Sequence, residues 1–412
     1  MADAVEPVVA RMGEPDAEVI AQLTSGLVRI SRRVEIYEAD GVTPFDIPNW
    51  NARLVDGTVT VDRERDERRN LDLLLDNTDG LLINDPYDGF WYDKIIKVFW
   101  GIRYYSTATA TWKRWETPLG EFMIDRIDED RFPHAVKVTG RDYSKKCLNS
   151  KLPYSLSFQS GLRVEEIITA LGSNAGVTKF AMPVTTQAYS EDLVFARGTD
   201  RWKVMVQLAD TIGYELYFMP NGALTMRPYP DPTTSPIAWS FTNGGGGTLV
   251  SYTRSSTDSR VFNHIMVTGA AIGTDSSNVP ASSVETSNTD SEVIFVDVRN
   301  DDPGSPTRIS RIGDRVELYE SDLFTSNEQA LAYAQTQLRI GALEEYTMGF
   351  ESLLLPWLDG SDIVEIVEDR VSEYTPRRFL LSNFTIPLGL GSMSGTARRV
   401  TVVGTKQTME FV

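Results

Sequence analysis

Cysteine and histidine are scarce in this sequence. Its 412 residues include one cysteine, Cys147, and two histidines, His134 and His264. A lone cysteine excludes an internal disulfide and a thiolate metal site, so the fold must depend on burial alone. The histidines lie too far apart in sequence to bind one metal from a single helix, and neither has a recognisable orienting partner. We therefore interpret both as edge or packing residues at the starts of strands.

Signatures of catalysis are missing as well. No serine lies in a Gly-x-Ser-x-Gly elbow, and no nucleophile motif surrounds Cys147. The glycine in Asp76–Gly80 comes too early for a calcium loop, and Gly244–Gly247 lacks the Lys-Ser/Thr pair of a phosphate-binding loop. We predict that the protein is not an enzyme, has no catalytic, cofactor-binding or metal-binding residues, and uses no cofactor.

Long apolar runs and basic clusters are also absent. No run approaches the roughly 18 to 20 apolar residues that cross a bilayer, and residues 1–18 are acidic rather than signal-like. The 40 basic residues are outnumbered by 58 acidic ones, which gives a net charge of −18, and the basic residues cluster only in pairs. We expect a soluble protein made in a cytosol, without a membrane span and without sequence-specific nucleic acid as a partner.

Short alternating runs typical of β-strands make up most of what is present. Hydrophobic residues reach 41%, enough for packed cores, and the length favours two or three domains. After an N-terminal arm at 1–25, the strand runs of residues 26–150 predict a first β-barrel-like domain. We expect a mainly β fold with an α+β insertion, in which two barrel-like domains flank a small α/β module.

Helical periodicity marks the predicted module, residues 151–235. One helix is expected at Leu162–Leu171 with Gly172 as its stop, and another at Arg201–Ile212 with Thr199 as its N-cap. A hairpin with Asn221-Gly222 at its turn follows. Residues 236–412 predict a second barrel-like domain with one helix, which begins at a Ser326/Gln329 capping box and ends at Gly341, and a polar insertion near 274–291.

Two short echoes raise the possibility of duplicated barrels. The sequence at 33–38 recurs at 315–320, and the pair of segments 121–125 and 136–140 loosely matches 378–382 and 400–404. Because short amphipathic matches arise by chance in any β-rich chain, duplication and coincidence are both left open.

Two clusters suggest an alternative function. Asp125, Asp128, Glu129 and Asp130 crowd one strand end, and four tryptophans lie close in sequence, at positions 91, 100, 112 and 115. Carboxylates and stacking rings in such numbers are compatible with a carbohydrate-binding or receptor-binding module directed at cell walls. The carboxylates equally suit a solvated rim, and the tryptophans a core or a protein interface.

Eight segments follow one another in an order that covers residues 50–405. They are 57–62, 68–73, 118–124, 138–143, 202–210, 212–217, 221–222 and 355–365. Together they resemble the tail hub (baseplate hub) proteins of long-tailed bacteriophages, which include minor tail proteins of actinobacterial phages.

This resemblance implies a structural virion protein at the tail tip, made in the host cytoplasm. Such proteins commonly form a homotrimer whose paired barrels adapt a six-fold tail tube to a three-fold tip. The implied partners are the distal tail protein ring, the tail tube, the C-terminus of the tape-measure protein and a central fibre or spike. DNA and the tape measure would pass through the ring, and the acidic excess would partly line its lumen. A spike-base protein of a contractile injection device would share this architecture.

One turn is our candidate for an anchor between subunits. Trp357 and Leu358 lie in the segment that resembles the last barrel, at a turn expected to be exposed. A core position for both is the alternative.

Overall fold

The computed structural model of the chain describes residues 15–25, 29–47, 50–87, 89–106, 108–131, 134–148, 150–189, 192–231, 234–244, 247–256, 261–272, 292–342, 347–367 and 377–399. The polar insertion predicted near 274–291 and the echo segment 400–404 lie outside these residues, as does most of the predicted N-terminal arm.

The predicted mainly β fold with small α insertions is confirmed. The helices are α1 (Ala17–Thr24), α2 (Trp50–Arg53), α3 (Ser144–Leu148), α4 (Val164–Asn174), α5 (Arg201–Asp210), α6 (Ile309–Ile312) and α7 (Asn327–Ala342). The strands are β1 (Arg29–Tyr37), β2 (Leu54–Asp62), β3 (Arg69–Asp76), β4 (Ile95–Ser106), β5 (Thr111–Arg131), β6 (His134–Arg141), β7 (Leu156–Phe158), β8 (Leu193–Phe195), β9 (Tyr214–Phe218), β10 (Leu224–Pro228), β11 (Ile237–Phe241), β12 (Leu249–Ser255), β13 (His264–Ile272), β14 (Glu292–Arg299), β15 (Val316–Glu320), β16 (Thr347–Ser352), β17 (Ile363–Ile366), β18 (Arg377–Pro387) and β19 (Met393–Arg399).

A 12-stranded sheet contains six strands from each of the two predicted barrel domains. Its main path runs β1-β4-β5-β6-β3-β2-β18-β19-β16-β12, and β17 branches from β18 to pair with β11. The two halves meet where β2 pairs antiparallel with β18, from Asn383 opposite Asp62 to Pro387 opposite Thr58. One hydrophobic core extends across both halves. The predicted barrels are therefore joined through one sheet, and their boundaries stay predictions.

Alternation along β2 explains why it sits at this junction. Val59 and Val61 are 0% and 1% exposed, whereas Thr58 and Thr60, which alternate with them, point to the opposite face. On the partner strand, Phe384 and Ile386 are buried on the same side as the valines. A period of two with branched and aromatic residues on one face is what a half-buried strand requires.

The α/β module has a core of its own, built on the stripes of α4 and α5. Helix α5 is capped by Asp200, whose side chain accepts a hydrogen bond from the Lys203 amide at 3.1 Å, so the expected cap at Thr199 is one residue too early. Helix α4 continues past Gly172 to Asn174, and the chain reverses at Gly176, where φ is +86°. The predicted stop at Gly172 was wrong because a glycine within a packed stripe need not end a helix.

A third unit interrupts the second half of the chain. Strands β14, β13 and β15 form a separate sheet, which α7 covers through buried Ala330, Ala334 and Leu338. Helix α7 ends at Ala342, one residue after the predicted end at Gly341. The Ser326 hydroxyl accepts from the Gln329 amide at 3.2 Å, as the capping box predicts.

This unit also shows whether one of the two sequence echoes reflects a duplicated strand. Strand β15, which carries most of the 315–320 echo, pairs parallel with β13 in the small sheet. Strand β1, which carries most of the 33–38 echo, pairs antiparallel with β4 in the large sheet. The two segments are not equivalent strands of duplicated barrels, so that interpretation of this echo was wrong.

Candidate functional site

One face of the joined sheet carries small polar side chains, which we call the polar face. Because side chains alternate along a strand, the residues between the buried ones all project to this side. Adjacent strands place the following residues opposite one another in a single row: Ser251, Glu351, Ser394, Thr385, Thr60 and Asn70. A shallow concavity of about 400 Å³ lies over the part of this face nearest β12. The face crosses from one half of the sheet to the other without interruption.

Hydroxyl contacts connect the two halves on this face. The Thr60 and Thr385 hydroxyls lie 3.1 Å apart across the β2–β18 junction. On the second half, the Ser251 hydroxyl donates to Glu351 at 3.3 Å, and Ser392 donates to the other oxygen of the same carboxylate. The hydroxyls on this part of the face are therefore bonded to neighbouring side chains.

Cations on the polar face are paired with carboxylates. Arg126 contacts Asp128 at 2.8 Å, Lys137 contacts Asp130 at 3.2 Å, and Arg398 contacts Glu64. Arg141 pairs with both Glu67 and Asp125. Three of the four carboxylates noted at the end of β5, those of Asp125, Asp128 and Asp130, are thus ion-paired.

The polar face ends at two strand edges that have no partner among the described residues. The first residue of β4, Ile95, lies opposite Met123. From Ile124 onward β5 therefore pairs only with β6. At the other end, β12 pairs only with β16. Between these edges lie eight strands, β5-β6-β3-β2-β18-β19-β16-β12. An exposed edge presents unpaired N–H and C=O groups and is a template for adding another strand.

A buried ion network lies where three parts of the chain meet. The Arg68 guanidinium, 3% exposed, contacts the Glu215 carboxylate at 3.4 Å and donates to the Gly360 carbonyl at 3.0 Å. Arg227 donates to Glu215 at 2.5 Å, and Arg69 contacts Asp359 at 2.7 Å. The network therefore links the β2–β3 turn, the β9–β10 hairpin of the module and the turn before β17.

Electrostatics keep the carboxylates of this network ionised. Burial by itself would raise the pKa of Glu215, but the positive charges of Arg68 and Arg227 outweigh it and lower that pKa to about 2. Burial likewise opposes ionisation of Asp359, whose pKa Arg69 and Arg68 lower to about 2. In the sequence, Arg68-Arg69 is one of several basic pairs, and no local signal indicates partners so distant in the chain.

The predicted anchor residues are buried. Trp357 is 6% exposed and Leu358 2% exposed, and both belong to the large core. The Trp357 ring packs edge-on against Trp115 at 5.9 Å and Trp239 at 5.5 Å. The expected exposure of this turn was wrong, because the turn folds over the sheet while Asp359 is held by Arg69. The predicted role of both residues as an anchor between subunits stays a prediction.

The four neighbouring tryptophans do not form one stacking platform. Trp100 is 1% exposed and packs against Trp115 at 6.5 Å, within the core. Trp91 contacts Tyr92. Trp112, 51% exposed, lies on the outer face of β5. The interpretation of these rings as core or interface residues therefore accounts for Trp100 and Trp115.

Two further candidates for chemistry, His264 and Cys147, lie in the protein interior. His264 is buried, with Nδ1 2.8 Å from Asp314 and Nε2 2.9 Å from Asp297. Cys147 is fully buried, and burial raises the pKa of its thiol to about 12, which leaves it unreactive. Among the residues that the structure describes, no group of three or more His, Cys, Asp or Glu side chains is placed to hold a metal ion. No helix within those residues is long and apolar enough to cross a membrane.

Comparison with known proteins identifies the fold. No family model matches the sequence, and no curated protein matches it significantly. Three solved structures, each 11% identical, are similar along most of their length. A tail protein from Neisseria meningitidis MC58 has a TM-score of 0.59 and covers 90% of this chain and 96% of its own. The 43 kDa tail protein of prophage MuSo2 from Shewanella oneidensis has a TM-score of 0.54, with 84% and 94% covered. Prophage tail protein gp18 from Listeria monocytogenes EGD-e has a TM-score of 0.51, with 89% and 94% covered.

The chain has the fold of phage tail proteins. At this level of identity the similarity concerns the fold alone, and it extends from the first half of the large sheet through the module to the second half.

Proposed function

We propose that the chain is a structural protein of a phage tail tip, which forms the hub ring at the distal end of the tail tube. The observation that carries this proposal is the eight-stranded polar face, whose edge at each end pairs with no other strand of the described residues. The fold shared with tail proteins over 90% of the chain supports it. We propose no enzymatic activity.

The two free edges suit head-to-tail assembly. If β12 of one copy pairs with the free part of β5 in the next, the sheet continues from copy to copy, and a ring forms when the rotation closes. We propose three copies in the ring. Each copy contributes two sheet halves, so that the ring presents six units to a six-fold tube. The actinobacterial phage origin suggested by the sequence resemblance stays a prediction.

The polar face is the surface that we propose lines the channel. Its hydroxyls and paired cations offer few free positive charges for DNA phosphates, and the net charge of −18 disfavours adhesion further. DNA and the tape-measure protein could therefore slide through it. The proposed neighbours are the distal tail protein ring and tail tube on one side, and a central fibre or spike on the other.

Negative-stain imaging with mass photometry at micromolar concentration tests the ring. We expect three-fold rings with a central channel. Val250 is 59% exposed on the β12 edge, so Val250→Lys should leave the monomer folded and reduce the ring population, because an edge lysine opposes strand addition. Val194→Lys, at a 67% exposed valine on β8, is the matched control and should form rings normally. Rings that persist equally in both variants would exclude β12 as the closing edge, and wild-type monomers alone would count against self-assembly.

A further inference from the structure

Three arginines lie side by side on the outer face of β1, β4 and β5. Arg29 is directly opposite Arg103, and Arg103 is directly opposite Arg114. Residues directly opposite in neighbouring strands project to the same side, and like charges in that position destabilise a sheet. All three side chains are exposed. Such a row is unexpected in a chain of net charge −18.

Two of these arginines have no carboxylate partner within the described residues. Arg114 forms an ion pair with Glu116. Arg29 and Arg103 instead lie over the Trp112 ring, with their guanidinium carbons 5.2 and 5.4 Å from its centroid. Their charges are therefore available, and the ring restricts where the guanidinium groups point.

Exposed aromatic surface adjoins the free charges. Trp112 is 51% exposed, and Tyr105, 45% exposed, packs edge-on against it at 5.7 Å. We call Arg29, Arg103, Tyr105 and Trp112 the arginine–tryptophan patch. Trp, Tyr and Arg are the residue types that contribute most to binding energy at protein interfaces, where a ring supplies buried area and a guanidinium supplies directed hydrogen bonds.

We propose that this patch docks a carboxylate-rich segment of another protein. Two guanidinium groups held on one ring can each bind a carboxylate through two hydrogen bonds, while Tyr105 and Trp112 cover the apolar part of the segment. The patch lies on the side of β1, β4 and β5 that faces away from the core. Its proposed role does not depend on the proposed ring.

Net charge distinguishes a protein segment from a long polyanion. A nucleic acid or an anionic membrane extends beyond the patch and meets the repulsion of a strongly acidic surface. A short acidic segment interacts locally, because charges farther than a Debye length of about 8 Å are screened at physiological salt. The balance of attraction and repulsion therefore favours the short protein segment.

Fluorescence anisotropy with a labelled twelve-residue peptide of alternating Glu and Leu tests the proposal. We expect binding to the full chain that weakens with salt, and no binding of the matching Gln and Leu peptide. Arg103→Gln and Trp112→Ala should each weaken binding at least fivefold. Arg311→Gln is the matched control, because Arg311 is another exposed arginine without a carboxylate partner in the described part of the chain, and it should leave affinity unchanged.

Four results would overturn the proposal. They are no binding of the Glu peptide, equal loss of binding in the Arg311 variant, tighter binding of double-stranded DNA or anionic vesicles than of the peptide, and self-association that Arg103→Gln abolishes. The last result would identify a second copy of the chain as the occupant. Circular dichroism melting curves should be superimposable for the variants, so that a change in affinity reports the surface and not the fold.

Discussion

Arg68 and Glu215 form a buried ion pair although 147 positions separate them in the sequence. Arg68 belongs to the turn after β2 and Glu215 to the first strand of the module hairpin. The Ser361 hydroxyl, from the second half of the chain, donates to the same carboxylate at 2.7 Å. The Glu215 carboxylate, which belongs to the module, thus receives hydrogen bonds from both halves of the large sheet. These bonds hold the module and the two halves in position relative to one another.

Replacing this carboxylate should destabilise the whole fold. Glu215→Gln removes the nearest counter-charge of buried Arg68 and of half-buried Arg227, and breaking a buried pair costs about 3–5 kcal/mol. We expect a loss of that size in the free energy of unfolding from urea denaturation at pH 7. Asp128→Asn is the control, because the exposed Arg126–Asp128 pair contributes less than about 1 kcal/mol. Equal effects of the two variants would show that the network is not essential.

The effect of Glu215→Gln should also depend on pH. The pKa of Glu215 is about 2 in the folded chain and 4.5 for an ordinary glutamate, so ionisation stabilises the fold fully above pH 4.5. That contribution is lost as the pH falls from 4.5 toward 2. The stability difference between wild type and variant should therefore shrink across this window in urea titrations, and a constant difference would contradict the assigned charge.

A half-buried carboxylate, Asp210, has the opposite pH dependence. Burial raises the pKa of Asp210 to about 7, and a hydrogen bond from the Tyr229 hydroxyl, at 2.8 Å, offsets only part of this. Between pH 4 and 7 the folded chain keeps a proton that the unfolded chain has lost, so stability falls as pH rises.

Asp210→Asn should remove that loss, because an amide does not titrate. We expect the variant to match wild type near pH 3.5, where folded and unfolded chains are both largely protonated at Asp210, and to be more stable by about 1–3 kcal/mol at pH 8. Urea midpoints at the two pH values measure this. Asp142, whose pKa burial raises to about 6, titrates in both proteins and cancels in the comparison. A variant that is destabilised equally at both pH values would contradict the prediction.

Sequence patterns predicted individual helices and strands of this fold better than they predicted which strands pair with one another. The helical periodicity of α4 and of α5 is a local property, and both helices were predicted. The pairing of β2 with β18 joins Thr60 to Thr385, 325 positions away, and no local pattern encodes such a choice of partner. The 33–38 and 315–320 echo misled for the same reason, since similar amphipathic strands fit an antiparallel edge and a parallel one.

The polar face and the ion network were missed because each is assembled from different strands. Serines and threonines at alternate positions of β12 or β19 are unremarkable singly, and only the register brings them together. The exposure of Trp357 was misjudged because its sequence neighbours, Asp359 and Gly360, are typical of a surface turn. Burial of that turn depends on Arg68 and Arg69, which come from the other half of the sheet.

Trp357→Ala should therefore affect folding of the single chain before any assembly. Removing a buried tryptophan that packs against Trp115 and Trp239 costs about 3–5 kcal/mol. Thermal and urea denaturation of the monomer measure the loss. Trp112→Ala removes a ring of the same size that is 51% exposed, and it should cost less than about 1 kcal/mol. A Trp357 variant with unchanged monomer stability and lost rings would instead favour the predicted role between subunits.

The module hairpin should be sensitive to a single methyl group. Gly222 has φ of +76°, and a Cβ placed there would lie 2.4 Å from the Tyr143 ring, which extends from the chain just after β6. Gly213 has a similar φ of +73° and open space around it. Gly213→Ala should therefore cost only the backbone strain of about 1 kcal/mol, whereas Gly222→Ala should cost that strain and a steric clash of about 1–3 kcal/mol more. The difference between the two free energies of unfolding measures how tightly the hairpin packs against Tyr143, and equal losses would mean that the ring moves aside without cost.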